Sequence, residues 1–144
     1  MQLKVKKLRD NVVLPTRGSK QAAGIDLYAC IDGVLTVDPG RTVMIDSGIA
    51  CEFPEGYFGL ILPRSSVGIK RHLQFANTAP VIDNDYTGEI KLAFTNVGNT
   101  AQVIEPNERL AQMILLPYVI YDIVETDTLS ETERGEGGIG STGK

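Results

Sequence analysis

The chain has no tryptophan and one histidine, His72. A lone imidazole argues against a zinc centre built on histidines and against a catalytic triad that needs a histidine base. Cysteine is also scarce. Cys30 and Cys51 are the only two, they lack the spacing of metal ligands, and both sit in apolar strand-like runs. They read as small buried hydrophobes of a reducing compartment. Long apolar runs are missing as well: no window reaches the length of a membrane span, so no membrane partner is expected. The opening MQLKVKKLRD carries charge with no apolar stretch behind it. No signal peptide is expected, and the location expected is cytoplasmic, the host cytoplasm if a phage encodes the chain. Positive charge is in deficit, with 14 Lys and Arg against 18 Asp and Glu, which argues against nucleic acid as a partner.

What remains is a chain of 144 residues, 42% hydrophobic, enough for one domain and one core without staples. Short apolar runs follow one another at 24–29, 34–37, 41–45, 48–53, 57–62, 73–77, 89–96, 101–105, 109–117 and 119–124. Turn signals separate them, among them Asp32-Gly33, Pro39-Gly40, Ser47-Gly48, Pro54-Glu55-Gly56 and Pro106-Asn107. The clearest alternation places Ile90, Leu92 and Phe94 on one face. This spacing predicts an all-β sandwich or barrel. Residues 109–116 have helical propensity, but the shortness of the run and Pro117 favour a buried strand. A short helix is predicted around 66–70. From Glu125 the chain turns acidic, like an arm leaving the body.

Five stretches are too polar or too constrained for plain strands. Asp26 lies in the apolar run AGIDLYA, where it either pairs with an arginine or holds the water shell of a metal. In PRSSVG, Pro63 ends a strand, Arg64 offers a fork of donors suited to phosphate, and Ser65 and Ser66 either cap a helix or add donors for an anion. APVIDNDYTGEI suggests a hairpin turn. Its Asp83, behind two β-branched residues, reads as a turn former or as a carboxylate in a partly dry place that deprotonates a water. In ERLAQ, Arg109 and Gln112 are polar groups in a run that otherwise belongs to the core, so they need partners. The terminal RGEGGIGSTGK is either a flexible tail or a backbone able to wrap a phosphate chain.

Taken in order, AGIDLYA, PRSSVG, APVIDNDYTGEI, ERLAQ and RGEGGIGSTG resemble the five ordered motifs of the trimeric deoxyuridine triphosphatase (dUTP diphosphatase) family, of phage or bacterial type, over residues 23–143. The resemblance implies a homotrimer of jelly-roll-like, distorted β-barrels. Residues 1–124 would form the barrel and 125–144 a flexible arm that covers a neighbour's active site. It implies hydrolysis of dUTP to dUMP and pyrophosphate with Mg²⁺, limiting uracil incorporation into DNA and supplying dUMP for dTMP synthesis. Carried over, Asp83 activates the water that attacks the α-phosphorus in line. Tyr86 stacks on the deoxyribose and leaves no room for a 2′-hydroxyl. Asn77, with the backbone of Val81 and Ile82, reads uracil. Arg64, Ser65, the backbone of Ser66, Gln112 and Lys91 hold the phosphates, and Asp26 acts on Mg²⁺ through water while the triphosphate holds most of the ion. Arg109 orders the site through an ion pair. In the arm, Arg134 grips the γ-phosphate, Ile139 covers the base, and Gly140, Ser141 and Thr142 close over the chain.

Two positions depart from the family pattern. Ile139 stands where the arm usually has an aromatic ring, and Pro80 stands where the hairpin usually has glycine. An aliphatic side chain covers a base but does not stack on it, so a weaker lid and a higher KM are expected. The related dCTP deaminases share the barrel but use a glutamate in the strand after the hairpin, and Ala93 occupies that place here.

Overall fold

The computed structural model describes residues 1–139 and Ser141. The chain folds as two antiparallel four-stranded sheets and a two-stranded ribbon. In the first sheet β1 (Lys4–Lys7) lies beside β4 (Thr42–Glu52), then β8 (Glu89–Asn96) and β6 (Leu73–Phe75). In the second, β2 (Ile25–Tyr28) is followed by β10 (Arg109–Pro117), β5 (Tyr57–Pro63) and β7 (Val81–Ile82). The ribbon joins β3 (Leu35–Val37) to β9 (Gln102–Ile104). The all-β architecture expected from the spacing of apolar runs, of the jelly-roll-like kind that the resemblance implies, is the one adopted.

Alternation builds the core. Ile90, Leu92 and Phe94 point inward from β8 and are fully buried, as their period of two requires. They meet Ile61 of β5, Leu110 and Met113 of β10 and Leu27 of β2. Phe94 stacks on Phe75, ring centroids 4.3 Å apart, and each such buried side chain contributes roughly 1.5–3 kcal/mol. A fully buried polar residue shares this interior. Asn96 donates to the Val37 and Thr100 carbonyls, both at 2.8 Å, and accepts from the Gly98 N–H at 2.9 Å, so its burial costs little.

Several local expectations are corrected. The run 119–124 forms no strand: the ladder ends at Pro117, and Val119, Ile120, Tyr121, Ile123 and Val124 are exposed because nothing among the described residues pairs with them. Ser47-Gly48 is not a turn between two strands. β4 runs through it as a bulge, shifting register between Asp46↔Lys91 and Ala50↔Glu89. Cys51 is buried, and burial pushes its thiol up to about 11, whereas Cys30 lies just beyond β2 and is half-buried. β1 and β7 have no counterpart among the predicted strands. Lys4–Lys7 holds one valine among three lysines, and Val81–Ile82 is two residues long. The helix expected near 66–70 is present as a π-type turn over Ser66–Lys70.

Candidate active site

β7 pairs with β5, with Val81 opposite Leu60 and Ile82 opposite Gly59. β8 belongs to the other sheet, so residues 83–88 form a loop that crosses between sheets rather than a hairpin ladder. The Tyr86 N–H donates to the Asp83 carbonyl at 3.1 Å and closes a turn. Asn84 fastens the loop by donating to the Pro54 and Tyr57 carbonyls, both at 2.8 Å. Pro80 is buried, and its carbonyl accepts the Ile61 N–H at 2.9 Å.

This loop forms one wall of a cleft of about 240 Å³. Asn77, Val81, Ile82, Asp83, Tyr86 and Lys91, all named from the one stretch 77–91, line it. Asp83 is exposed rather than partly dry. Tyr86 is held from two sides. Its hydroxyl donates to the Glu89 carbonyl at 3.0 Å, and its ring occupies the space beside Gly88, where an added Cβ would lie 2.5 Å from the hydroxyl oxygen. Thr78, beside Asn77, has φ of 66°, a left-handed conformation that a β-branched residue rarely adopts.

Behind the cleft lies a charge network the sequence did not reveal. Lys91 donates to Asp46 Oδ1 at 2.9 Å, and Arg9 donates to Asp46 Oδ2 at 2.9 Å. Arg9 also forks onto the carboxylate of Glu89, itself a lining residue of the cleft. The hydrogen bond from Lys91, with Arg9 beside it, holds the Asp46 carboxyl below the usual range, and Asp46 in turn raises Lys91. Glu89 was legible at best as the alternate neighbour of Lys91 on β8. Arg9 lies outside every motif and gave no signal.

A second polar cluster sits at the other end of β5. Asp26 on β2 pairs in register with Gln112 on β10. Its Oδ2 accepts from Arg109 Nη1 at 3.2 Å, its Oδ1 forms an ion pair with Arg64 Nε at 3.2 Å, and its side chain is 11% exposed. Of the two sequence readings of Asp26, the arginine pairing is the contact made. Two guanidiniums on one carboxylate leave a net positive charge, which suits an anion. Gln112 donates to the Pro63 carbonyl at 3.4 Å. Ser65 and Ser66 are exposed at the start of the π-type turn, and Ser65 makes no capping bond.

The two clusters do not meet within one chain. Asp83 lies beside Phe58, and Arg64 follows the last residue of β5. From position 58 to position 64 an extended strand advances about 3.3 Å per residue, so they stand roughly 20 Å apart. The arm is separate from both. Among the described residues, every hydrogen bond of 119–141 stays within that segment, such as Arg134 Nε to the Gly137 carbonyl at 2.7 Å and Ser141 Oγ to the Gly138 carbonyl at 2.8 Å. Ile139 is fully exposed. Gly140 and Thr142 lie outside the described residues.

The dUTPase family model matches residues 10–143. The chain is 43% identical to a deoxyuridine 5'-triphosphate nucleotidohydrolase of Hydrogenobaculum sp. (strain Y04AAS1), over 99% of each sequence. It is 48% identical to the protein of the same name from Escherichia phage T5, over 90% of this chain and 91% of that one. Among solved structures, the Staphylococcus bacteriophage 80alpha dUTPase with dUPNHPP gives a TM-score of 0.91 at 27% identity, over 99% of each chain. With a family match spanning nearly its whole length and relatives this similar, the chain belongs to the dUTPase family.

Proposed function

We propose that this protein hydrolyses dUTP to dUMP and pyrophosphate. The observation that carries the reading is the cleft in which Asn77, the Val81–Ile82 backbone, Asp83, Tyr86 and Lys91 converge. Base, sugar and reacting phosphate can be addressed together there. The relatives named as deoxyuridine 5'-triphosphate nucleotidohydrolases support it. In the cell the reaction limits uracil incorporation into DNA and supplies dUMP for dTMP synthesis.

Uracil is read by Asn77 and the backbone of Val81 and Ile82. Fixed donors and acceptors reject a base whose exocyclic groups leave them unpaired. Tyr86 lies against the sugar and excludes a 2′-hydroxyl. Asp83 takes a proton from a water. The water oxygen bonds to the α-phosphorus as the bond from that phosphorus to the α–β bridging oxygen breaks, and pyrophosphate leaves with that bridging oxygen. Arg64, Ser65, the Ser66 N–H, Gln112 and Lys91 hold the phosphates, which is most of what such chemistry asks of a protein. Asp26 keeps Arg64 and Arg109 aimed.

The donor set fits a Mg²⁺ that arrives with the triphosphate. Among the described residues no three His, Cys, Asp or Glu side chains are grouped to hold a metal. Asp26 Oδ2 accepts one hydrogen bond, from Arg109, and the carboxylate keeps lone pairs that can accept from a metal-bound water. The ion would neutralise phosphate charge.

The separation of Asp83 from Arg64 makes one chain insufficient and supports a homotrimer with sites shared between subunits. Leu60, Leu62, Ile114 and Leu116 are half-buried on the face of β5 and β10 opposite the core, a surface suited to further copies. The exposed apolar run 119–124 leads the arm, 125–144, away from its own barrel toward a neighbour, where Arg134, Ile139, Gly140, Ser141 and Thr142 close the site. No helix of the described residues is long and apolar enough to cross a membrane, which accords with the cytoplasmic location proposed.

The test is product analysis with dUTP, dTTP, dCTP and UTP in ¹⁸O-labelled water. Pyrophosphate from dUTP alone, with label in dUMP, is expected. Ammonia from dCTP, or label in pyrophosphate, would sink the proposal.

A further inference from the structure

Arg9 precedes the segment matched by the family model, which begins at residue 10. It nevertheless reaches the wall of the cleft. Its Nη1 donates to Glu89 Oε1 at 2.8 Å, and its Nη2 donates to Glu89 Oε2 at 3.2 Å and to Asp46 Oδ2 at 2.9 Å. The bulge in β4 adds a third donor, because Gly48 turns its N–H onto Glu89 Oε1 at 2.9 Å. The Glu89 side chain is left 14% exposed. Both of its oxygens are therefore used, and the start of β8 is tied to β4 and to the segment after β1.

Two groups of the cleft depend on that tie. The Glu89 carbonyl is the acceptor that fixes the Tyr86 hydroxyl. Lys91, two residues along the same face of β8, shares Asp46 with Arg9 and so keeps its ammonium at the cleft. A planar fork that binds two carboxylates at once sets direction as well as distance, and lysine cannot reproduce it. We propose that Arg9 is a positioning residue for sugar selection: through Glu89 it sets where the Tyr86 ring stands, and through Asp46 it sets where Lys91 stands.

The inference rests on the reading of the cleft as a dUTP site, and its test separates the two. kcat and KM are measured on dUTP and UTP for wild type, Arg9→Gln, Arg9→Lys, Glu89→Gln and Gly88→Ala, with an unfolding curve for each. Arg9→Gln is expected to lower the dUTP-to-UTP ratio of kcat/KM about tenfold, chiefly through KM, since displaced groups of this kind cost that much or more. Arg9→Lys is expected to recover stability but not the ratio. Gly88→Ala pushes on the Tyr86 ring directly and is expected to lower the ratio as well. If Arg9→Gln does not fold, Arg9→Lys and Glu89→Gln carry the test. An unchanged ratio in every folded Arg9 and Glu89 variant, with wild type active on dUTP, overturns this inference alone. A wild type that releases no pyrophosphate from dUTP overturns the reading of the cleft, and this inference with it.

Discussion

Gly48 has no side chain because there is no room for one. An added Cβ would lie 2.3 Å from Val12 Cγ2 and 2.8 Å from Cys30 Sγ, and φ is 71°. Its N–H and carbonyl are both used, by Glu89 at 2.9 Å and by the Leu8 N–H at 2.8 Å. Gly48→Ala combines left-handed strain with overpacking, and a loss of about 2–4 kcal/mol is expected in denaturant titration. Ile139 poses the opposite question, since its side chain is fully exposed. Ile139→Phe is expected to lower KM for dUTP severalfold by adding a stacking face, with kcat little changed. Unchanged KM and kcat would remove the idea that this position covers the base.

At the scale of elements, β8 was legible in full because its alternation is strict and one face is entirely core. β1 and β7 were not, since a strand of two residues or one rich in lysine is defined by its partner and not by its own composition. The run 119–124 failed for the complementary reason. Its residues suit a strand, but among the described residues no strand lies beside them. The site divides the same way. Asp83 stood out as an acid behind two β-branched residues, and Tyr86 and Asn77 were reached through the family resemblance. Arg9 and Asp46 become informative only when β4, β8 and the segment after β1 come together.

That junction of β4 and β8 gives the acid response a cause. Asp46 titrates below an ordinary carboxylate because of Lys91 and Arg9. Its contribution to stability is therefore complete above the unfolded value of about 3.9 and is lost as pH falls through the lower folded value. Lys91, raised by the same pair, contributes below its unfolded value and loses that contribution as pH rises through the folded one. Asp46→Asn is expected to flatten both limbs of a plot of unfolding midpoint against pH. Limbs identical to wild type would show that the pair does not couple folding to protons.

At the scale of the whole molecule, the core closes within one chain, while the proposed site is shared between subunits. Asp83 and the Asp26–Arg64–Arg109 cluster stand at opposite ends of one strand and, among the described residues, the arm bonds only to itself. Removing 134–144 is expected to abolish dUTP turnover while leaving the unfolding midpoint and the sedimentation of the proposed trimer unchanged. Retained turnover would dismiss the arm as a lid.

The most direct test is the rate of pyrophosphate release from dUTP by Asp83→Asn beside wild type. The expected result is a fall in kcat of about 10²- to 10⁴-fold, the range associated with loss of a general base, in a protein that still folds and binds dUTP. Turnover within a few-fold of wild type would contradict the assignment of Asp83 as the group that activates water.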